Sequence, residues 1–314
     1  MKPLKIVFFG TPEFAAASLE AIYQSHHQVA GVVTVADKAS GRGQKLHESA
    51  VKKFASAHHI PVFQPEKLRN PEFLEQIKAL DADVFVVVAF RMMPKVLFEM
   101  PKLGTFNLHA SLLPDYRGAA PINFAIINGE KKTGVTTFFI NEKIDEGHIL
   151  LQEDLEIGDD ENAGSLHDRL MELGARLVVE TLDGLAEKSI TGKPQPLTDH
   201  PKNAFKIFKE DTCIDWHKTS KEIHNFVRGM SPYPCAFTVL EINGEKKNLK
   251  IFSGHSDTGK QGIPGTLSIS RQGLGIYTKD GMYLPEEVQL EGKKRMSVTD
   301  FLNGFQTFDQ IKLA

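Results

Sequence analysis

The sequence predicts an α/β protein with a mainly parallel, Rossmann-like sheet and helices on both faces, followed by a small β-barrel domain. Short apolar runs alternate with amphipathic helical patterns up to residue 186, which is typical of buried parallel strands and their crossover helices. A stretch rich in proline, residues 188–202, then reads as a linker. Beyond it, short β-like segments are separated by glycine-containing turns, which favours an antiparallel, OB-fold-like barrel.

Length and composition limit the possible classes. A chain of 314 residues is expected to form two domains. We predict a catalytic domain over 1–188, a linker over 189–204 and a barrel domain over 205–314. The net charge of −3 does not indicate a general nucleic-acid binder. Two cysteines cannot staple a chain of this length, so a reduced, cytoplasmic protein is expected.

The sequence also disfavours a membrane-spanning protein and a metal-binding protein. The longest apolar run, 84–90, has the length of a strand and is too short to span a bilayer. No Cys/His cluster has the spacing of a metal site, so we predict no metal.

The first half of the chain supplies most of the predicted sheet. A turn at Gly10 separates the first strand from the first helix, but the two further glycines of a dinucleotide-binding fingerprint are missing. This absence argues against an NAD-type cofactor. The predicted strands are 4–9, 29–35, 61–63 and 84–89, and the helices between and after them are 12–23, 48–58 and 71–80.

The stretch 105–121 carries the candidate chemistry. Asn107 and His109 alternate with an apolar residue, so both side chains lie on one face of an extended chain, at the carboxyl end of a strand. Asp145 follows the strand 134–140, and loops after adjacent parallel strands meet at one sheet edge, so the carboxylate is expected to reach the imidazole.

Such a trio suits acyl transfer without a protein nucleophile. The carboxylate holds one tautomer of the imidazole and stabilises its protonated form, and the Asn107 amide donates to an oxygen that becomes negative. The alternative is that these are ordinary turn or core residues satisfied by backbone groups. Ser111 lacks the Gly-x-Ser-x-Gly context of a nucleophile and is expected to be a polar turn residue.

The remaining elements complete the two predicted domains. We expect helices over 121–128, 165–186 and 221–229, the second of them a long amphipathic one. The remaining strands are expected over 134–140 and 149–157 in the first domain, and over 237–242, 249–253, 265–269, 275–278 and 282–287 in the barrel.

Several motifs together resemble the folate-dependent formyltransferases. The run 107–114 (NLHASLLP), Arg117-Gly118 and Ala120-Pro121 are similar to the signature of that family, and Asp145-x-Gly147 to its second signature. The resemblance covers nearly the whole chain. It implies transfer of a formyl group from 10-formyltetrahydrofolate to an amine, with Asn107, His109 and Asp145 as the catalytic residues.

The resemblance also implies a folate site beside this trio. The residues expected to form it follow the strand 84–89 and the motif histidine: Phe90, Arg91, Met92, Ser111, Leu112, Leu113 and Pro114. Met92 and Met93 are equally compatible with core packing, because methionine fills irregular gaps as readily as it lines pockets.

Two basic segments bear on which molecule accepts the formyl group. The loop 36–46 (ADKASGRGQKL) contains Lys38, Arg42 and Lys45 and resembles a tRNA-inserting loop of the family, although composition alone favours an ordinary solvated loop. Lys206 and Lys209 lie in a segment that resembles the start of the barrel domain and are expected to contact phosphates. Trp216 follows them and is expected in the core.

These resemblances imply initiator methionyl-tRNA as the acceptor and a monomeric enzyme that acts in translation initiation. Two alternatives stay open: formyl transfer to an amino sugar nucleotide by the same Asn-His-Asp chemistry, and a non-catalytic protein that binds RNA or folate.

Overall fold

The computed structural model describes residues 2–40, 45–198 and 201–314. The chain forms two compact units, each built from separate stretches of sequence. The first unit comprises Met1–Gly118, Thr133–Leu155 and His167–Asn203, and the second comprises Ala119–Lys132, Glu156–Leu166 and Ala204–Ala314. The boundaries predicted at 188 and 205 stay a prediction.

Up to residue 187, strands and helices alternate nearly as the sequence predicts. In chain order they are β1 (Lys5–Gly10), α1 (Glu13–Gln24), β2 (Gln28–Val33), β3 (Lys38–Ser40), β4 (Lys45–His47), α2 (Ala50–Ala57), β5 (Val62–Phe63), α3 (Pro71–Ala79), β6 (Val84–Val88), α4 (Lys95–Phe98), β7 (Thr105–His109), β8 (Arg117–Gly118), α5 (Pro121–Ile127), β9 (Lys132–Phe139), β10 (Ile149–Glu156) and α6 (Ala163–Glu187).

The main sheet of the first unit has the strand order β10-β9-β7-β6-β1-β2-β5. The strands β7, β6, β1, β2 and β5 pair in parallel, which confirms the α/β fold class. The strand β9, however, runs antiparallel to β7, with Phe106 paired to Phe139 and His109 to Thr136. The prediction that Asp145 reaches His109 from the carboxyl end of a neighbouring parallel strand is therefore wrong in its geometry.

Helices cover both faces of this sheet. On one face, a cluster of buried side chains joins Val7 and Phe9 of β1 to Phe73 and Ile77 of α3. On the other face, α6 approaches β7 so closely that a Cβ atom on Gly174 would lie 2.7 Å from the Leu108 side chain. Because Asn107 and His109 alternate with Leu108, they lie on the face opposite α6.

Gly10 ends β1 at a tightly packed position. A Cβ atom there would lie 2.6 Å from Cβ of Ala15 and 3.1 Å from the Val88 carbonyl oxygen. The single glycine is thus explained by close packing between strand and helix, a role that needs no phosphate ligand.

The predicted polar loop 36–46 contains a short β-hairpin stem. The strands β3 and β4 are antiparallel, with Lys38 paired to His47 and Ser40 to Lys45. Asp37, just before the stem, accepts a hydrogen bond from Gln64 at 2.8 Å and forms an ion pair with Lys52. The hydrogen bonds from Lys52 and Gln64 hold the pKa of the Asp37 carboxyl below its usual range. The residue that precedes the hairpin stem is therefore fixed by side-chain contacts.

The second unit contains an antiparallel barrel-like sheet. Its elements from residue 203 onwards are β11 (Asn203–Ala204), a 3₁₀ turn (Glu210–Thr212), α7 (Ser220–Met230), β12 (Ala236–Ile242), β13 (Glu245–Asp257), β14 (Leu267–Ser270), β15 (Gly273–Tyr277), β16 (Met282–Leu290), β17 (Met296–Ser297), α8 (Val298–Asn303) and β18 (Ile311–Leu313). The strand order β14-β15-β16-β13-β12-β18 confirms the antiparallel barrel domain. Sequence patterns missed α8 and the short strands β17 and β18.

The core of the second unit explains its single tryptophan. Trp216 is 4% exposed and its indole Nε1 donates to the Thr238 hydroxyl at 3.0 Å. This confirms the prediction that Trp216 lies in the core. Among the described residues, no helix is both long and apolar enough to cross a membrane.

Candidate active site

Asn107 and His109 lie at the carboxyl end of β7, beside the parallel strand β6. The register places Val87 opposite Asn107 and Val88 opposite Leu108, so the chain after β6 and the end of β7 meet at one sheet edge. Asn107 is partly exposed, and its side-chain amide forms no hydrogen bond with any described residue. An amide without a partner at a strand end is available to a ligand oxygen.

The hydrogen bonds of His109 fix the state of its ring. Its Nε2 atom lies 2.9 Å from the carbonyl oxygen of Tyr116. Since a carbonyl oxygen can only accept, Nε2 carries a proton and donates it. The Nδ1 atom lies 3.9 Å from the Asp145 Oδ2 atom, too far for a direct hydrogen bond. In the neutral ring the lone pair is consequently on Nδ1.

Asp145 is held by one backbone N–H and by the side-chain amide of Gln195. Its Oδ2 atom accepts a hydrogen bond from the Gly118 N–H at 2.9 Å. The side-chain amide of Gln195 donates to the carbonyl oxygens of Asp145 at 2.8 Å and Gly147 at 2.9 Å. Gln195 in turn accepts from the Arg117 guanidinium at 3.2 Å and 2.5 Å. These contacts orient the carboxylate towards the imidazole.

Gly147 lets the Asp145 loop fold closely against β9. A Cβ atom at Gly147 would lie 1.5 Å from the carbonyl oxygen of Phe139, which no side chain can tolerate. Asp145 itself has a φ of +53°, a left-handed conformation that aspartate adopts more readily than most residues. The Asp-x-Gly spacing thus has a local structural cause. The loop after β9 begins at Phe139, which pairs with Phe106 near the start of β7. It brings Asp145 to within 3.9 Å of His109, at the end of β7.

The three side chains can accept a proton and stabilise a developing negative charge. The Nδ1 atom of His109 can accept a proton, and the carboxylate of Asp145 then stabilises the resulting imidazolium. The free amide of Asn107 can donate to an oxygen that becomes negative. The structure therefore brings together the three side chains that the sequence places in one site.

The residues after His109 form a second, rigid part of the site. Ser111 donates its hydroxyl proton to the Asp115 carbonyl at 2.6 Å, as a turn residue does. The Thr136 hydroxyl donates to the Ser111 carbonyl at 2.6 Å and accepts from the Leu113 N–H at 3.2 Å. Gln152 donates to the Leu113 carbonyl at 2.9 Å. Leu112 is half-buried beside Gly134, and Pro114 is also half-buried.

The segment after β6 shows its side chains in different environments. Phe90 packs edge-on against Phe9, with ring centroids 5.8 Å apart. Arg91 donates to the carbonyl oxygens of Pro65 and Glu66. Met92 is 71% exposed, whereas Met93 is buried at 7%. Core packing therefore accounts for Met93 but not for Met92. The assignment of Phe90, Arg91 and Met92 to a folate site stays a prediction.

The basic residues predicted to contact tRNA belong to both units. Lys38 and Lys45 lie on the paired strands β3 and β4, and Arg42 falls outside the described residues. Lys206 and Lys209 lie in the second unit, and both are exposed. Neither lysine forms an ion pair with a residue in the described ranges.

Sequence reasoning missed a cluster of His26, His27 and Asp183 in the first unit. The Nε2 atom of His27 lies 3.1 Å from Asp183 Oδ1, and that of His26 lies 3.5 Å from the same oxygen. The Leu4 N–H donates to His27 Nδ1 at 3.1 Å, which leaves the ring proton on Nε2, pointing at Asp183. A protonated nitrogen has no lone pair for a metal ion. Burial and the neighbouring His26 lower the pKa of His27.

Two other residues support the site without a sequence signal of their own. Gln195 lies 50 residues from Asp145, and Tyr116 contributes through its backbone carbonyl. Backbone groups carry no side-chain signal, so no sequence pattern points to them. Gln195 stands in the stretch read as a linker, where a single polar residue gives no indication of its role.

Comparison with known proteins places this site in context. Residues 4–182 match the Formyl transferase family and residues 206–306 match its C-terminal domain. A protein named methionyl-tRNA formyltransferase from Flavobacterium johnsoniae is 48% identical over 314 residues, covering 100% of both chains. A protein of the same name from Azobacteroides pseudotrichonymphae is 50% identical over 309 residues, covering 96% of this chain and 95% of its own.

Solved structures share the fold at lower identity. An N-formyltransferase from Helicobacter canadensis, in complex with folinic acid and dTDP-3-aminofucose, has a TM-score of 0.67 and 23% identity, covering 91% of this chain and 100% of its own. HypX from Aquifex aeolicus, in complex with tetrahydrofolic acid, has a TM-score of 0.64 and 17% identity, covering 100% of this chain and 49% of its own. On the two family matches and the full-length relatives, this chain belongs to the formyl transferase family.

Proposed function

We propose that this protein transfers the formyl group of 10-formyltetrahydrofolate to the α-amino group of methionyl-initiator-tRNA, with Asn107, His109 and Asp145 as the catalytic residues. The observation that carries this proposal is the geometry of His109. Its Nε2–H is committed to the Tyr116 carbonyl, and its Nδ1 faces a carboxylate 3.9 Å away. Full-length relatives named methionyl-tRNA formyltransferase support the choice of acceptor.

In the proposed reaction, the lone pair of the neutral amine forms a bond to the formyl carbon, and the carbonyl electrons move onto the oxygen. The side-chain N–H of Asn107 donates a hydrogen bond to that oxygen. The attacking nitrogen loses a proton to Nδ1 of His109, directly or through water, and Asp145 stabilises the imidazolium. The electron pair on the oxygen then re-forms the carbonyl bond, and the bond from carbon to the folate nitrogen breaks. This nitrogen keeps the electron pair and takes up the proton from the His109 imidazolium, directly or through water, which returns His109 to its neutral form.

The folate is a substrate here, and the chain offers it a preformed frame. The backbone of Leu113 is tied on both sides, by Thr136 to its N–H and by Gln152 to its carbonyl. We propose that the segments 90–92 and 111–114 hold the folate, with exposed Met92 providing apolar contact. Both segments follow strands that end beside the catalytic trio, which brings the formyl donor to the imidazole.

The proposed acceptor implies where and how the protein works. We propose that it acts as a monomer in the cytoplasm, during translation initiation, on an acceptor that it binds through Lys38, Arg42, Lys45, Lys206 and Lys209. The alternative acceptor is an amino sugar nucleotide. The Helicobacter canadensis structure contains such a compound, but its identity of 23% shows a shared fold alone.

A single assay separates these acceptors. The purified protein and 10-formyltetrahydrofolate are mixed with methionyl-initiator-tRNA, with uncharged tRNA, or with an amino sugar nucleotide. We expect N-formylmethionyl-tRNA from the charged tRNA and no formylated sugar. Formylation of the sugar with no reaction on the charged tRNA would contradict the proposed function.

A further inference from the structure

Two phenylalanine rings of the second unit lie in solvent within four residues of each other. Phe205 is 69% exposed and Phe208 is 51% exposed. Covering a phenylalanine side chain is favourable, so leaving two of them uncovered within four positions of the chain forgoes stability that burial would provide. Neighbouring exposed rings of this kind mark a surface that is covered by something else.

The chain around these rings is anchored. Ala204 is fully buried, and Ile207 packs against the core of the second unit. Phe208 donates its backbone N–H to the Asp211 carboxylate at 2.8 Å, and the Thr212 hydroxyl donates to the Lys209 carbonyl at 2.8 Å. The rings are thus displayed by a defined turn, which reduces the entropy lost when a ligand binds them.

Phe205 also has a fixed neighbour. Its ring meets that of Phe124 in an edge-to-face arrangement, with centroids 6.4 Å apart. This contact supports one side of the Phe205 ring while the side chain as a whole stays largely exposed. A supported, exposed ring presents a flat surface at a defined angle.

Two lysines alternate with the rings. Lys206 and Lys209 are exposed, and the Lys206 ammonium lies 5.1 Å from the centroid of the Phe208 ring. The acidic residues of this turn are Glu210, which is exposed, and Asp211, which is engaged with the Phe208 backbone. Lysines interleaved with exposed aromatic rings match a polyanion that carries flat bases, since the charges meet phosphates and the rings stack on bases.

We infer that Phe205 and Phe208 form a stacking platform for unpaired bases of the RNA acceptor, with Lys206 and Lys209 neutralising the adjacent phosphates. This inference rests on the proposed function and assigns the aromatic residues a role in acceptor affinity. It makes Phe205 and Phe208 determinants of binding that take no part in the chemical step. A protein partner would need the rings but not the interleaved lysines.

The test compares the variants Phe205→Ala, Phe208→Ala, their double mutant and Phe208→Trp with the wild type. The control is Ile263→Ala, which removes another exposed apolar side chain of the same unit. The dissociation constant of uncharged initiator tRNA is measured at several salt concentrations, and KM and kcat with charged tRNA. Thermal unfolding confirms that each variant is folded.

We expect each alanine substitution to weaken tRNA binding and to raise KM about tenfold, with kcat unchanged. Phe208→Trp keeps the affinity because the ring is retained, and Ile263→Ala has no effect. Because stacking releases no counterions, the slope of log affinity against log salt stays the same in the phenylalanine variants. Lys206→Ala instead lowers the magnitude of that slope by about one.

Two outcomes would overturn the inference. The double variant would bind tRNA as tightly as the wild type, or the alanine variants would lower the salt slope as Lys206→Ala does. Failure of the proposed function looks different, because the wild type itself would then not formylate charged tRNA. The binding measurement with uncharged tRNA tests the platform even in that case.

Discussion

The candidate active site and the platform at 205–209 use polar and apolar side chains in opposite ways. In the active site, His109 is 7% exposed, and its ring and the carboxylate of Asp145 are fixed by backbone groups. In the platform, rings and ammonium groups are exposed and only the backbone beneath them is tied. The comparison indicates that chemistry needs groups held in one geometry, whereas recognition needs accessible surface.

The two regions should therefore respond differently to substitution. Changes in the active site are expected to lower the rate at saturating acceptor, because they remove groups that act on the reacting atoms. Changes in the platform are expected to alter affinity.

Removing the imidazole is expected to have the largest effect. His109→Ala removes both the group that takes the proton and the cation that Asp145 stabilises, so kcat should fall about 10²–10⁴-fold. The measurement is the steady-state rate with charged initiator tRNA. Asn107→Ala removes the proposed oxyanion donor and should lower kcat about 10²–10³-fold. Near-normal rates in folded variants would show that neither side chain takes part in the reaction.

Displacing the Asp145 loop is expected to have the next largest effect. Gly147→Ala forces a Cβ atom against the Phe139 carbonyl, so the loop must shift and move the carboxylate away from His109. A displacement of about 1 Å commonly costs 10²-fold in rate, and kcat/KM should fall by about that factor.

The control for this loop is Gly273→Ala, because a Cβ atom there meets nothing within 4 Å and the φ angle is not positive. It should keep the wild-type kcat/KM. If Gly147→Ala also kept it, the position of Asp145 would not matter for the reaction.

The basic residue at the centre of the loop 36–46 is expected to affect acceptor binding. Arg42→Ala removes one proposed phosphate contact, so the salt slope of tRNA binding should decrease by about one. The rate of tRNA formylation should fall, while the rate of 10-formyltetrahydrofolate hydrolysis in the absence of tRNA should not change. An equal loss of both activities would assign Arg42 a structural role.

A smaller effect is expected from His27, whose titration makes the free energy of unfolding depend on pH. The pKa of His27 is lowered from 6.5 in the native state by burial and by the adjacent His26, and partly restored by Asp183. Between pH 6.5 and the lower pKa of His27 in the native state, the unfolded chain binds a proton that the native chain does not, so the free energy of unfolding falls as the pH falls through this range. The loss from this group amounts to at most about 1.4 kcal/mol per pH unit.

Denaturant unfolding of wild type and His27→Asn between pH 7.5 and 5.5 tests this linkage. The variant should be less stable at pH 7.5, because the smaller side chain packs less well and loses the ring Nε2–H that donates to Asp183. Its stability should also depend less steeply on pH. Parallel pH dependences of the two proteins would assign the titration to other groups.

Where the signal is local, the sequence predicts the local geometry. Asn107 and His109 share a face because of strand alternation, and Gly147 belongs to a short motif whose glycine is required sterically. Trp216, the only tryptophan of the sequence, lies in the core as the sequence predicts.

Predictions failed where the geometry depends on long-range pairing. The apolar pattern of β9 predicts a strand but not its direction, so its antiparallel pairing with β7 was missed. The stem β3–β4 is only three residues on each side, too short for a periodic signal. Gln195 supports the Asp145 loop from a stretch without secondary structure, through contacts that exist only in the folded chain.

The most direct test of the proposed roles of His109 and of the two phenylalanines measures kcat and KM in two variants. Formylation of methionyl-initiator-tRNA is followed over a range of tRNA concentrations for His109→Ala and for the double variant Phe205→Ala/Phe208→Ala. We predict a fall of at least about 10²-fold in kcat for His109→Ala, with KM little changed. For the double variant we predict a raised KM with normal kcat. A His109→Ala protein that is folded and reaches the wild-type rate at saturating tRNA would contradict the proposed catalytic role of His109.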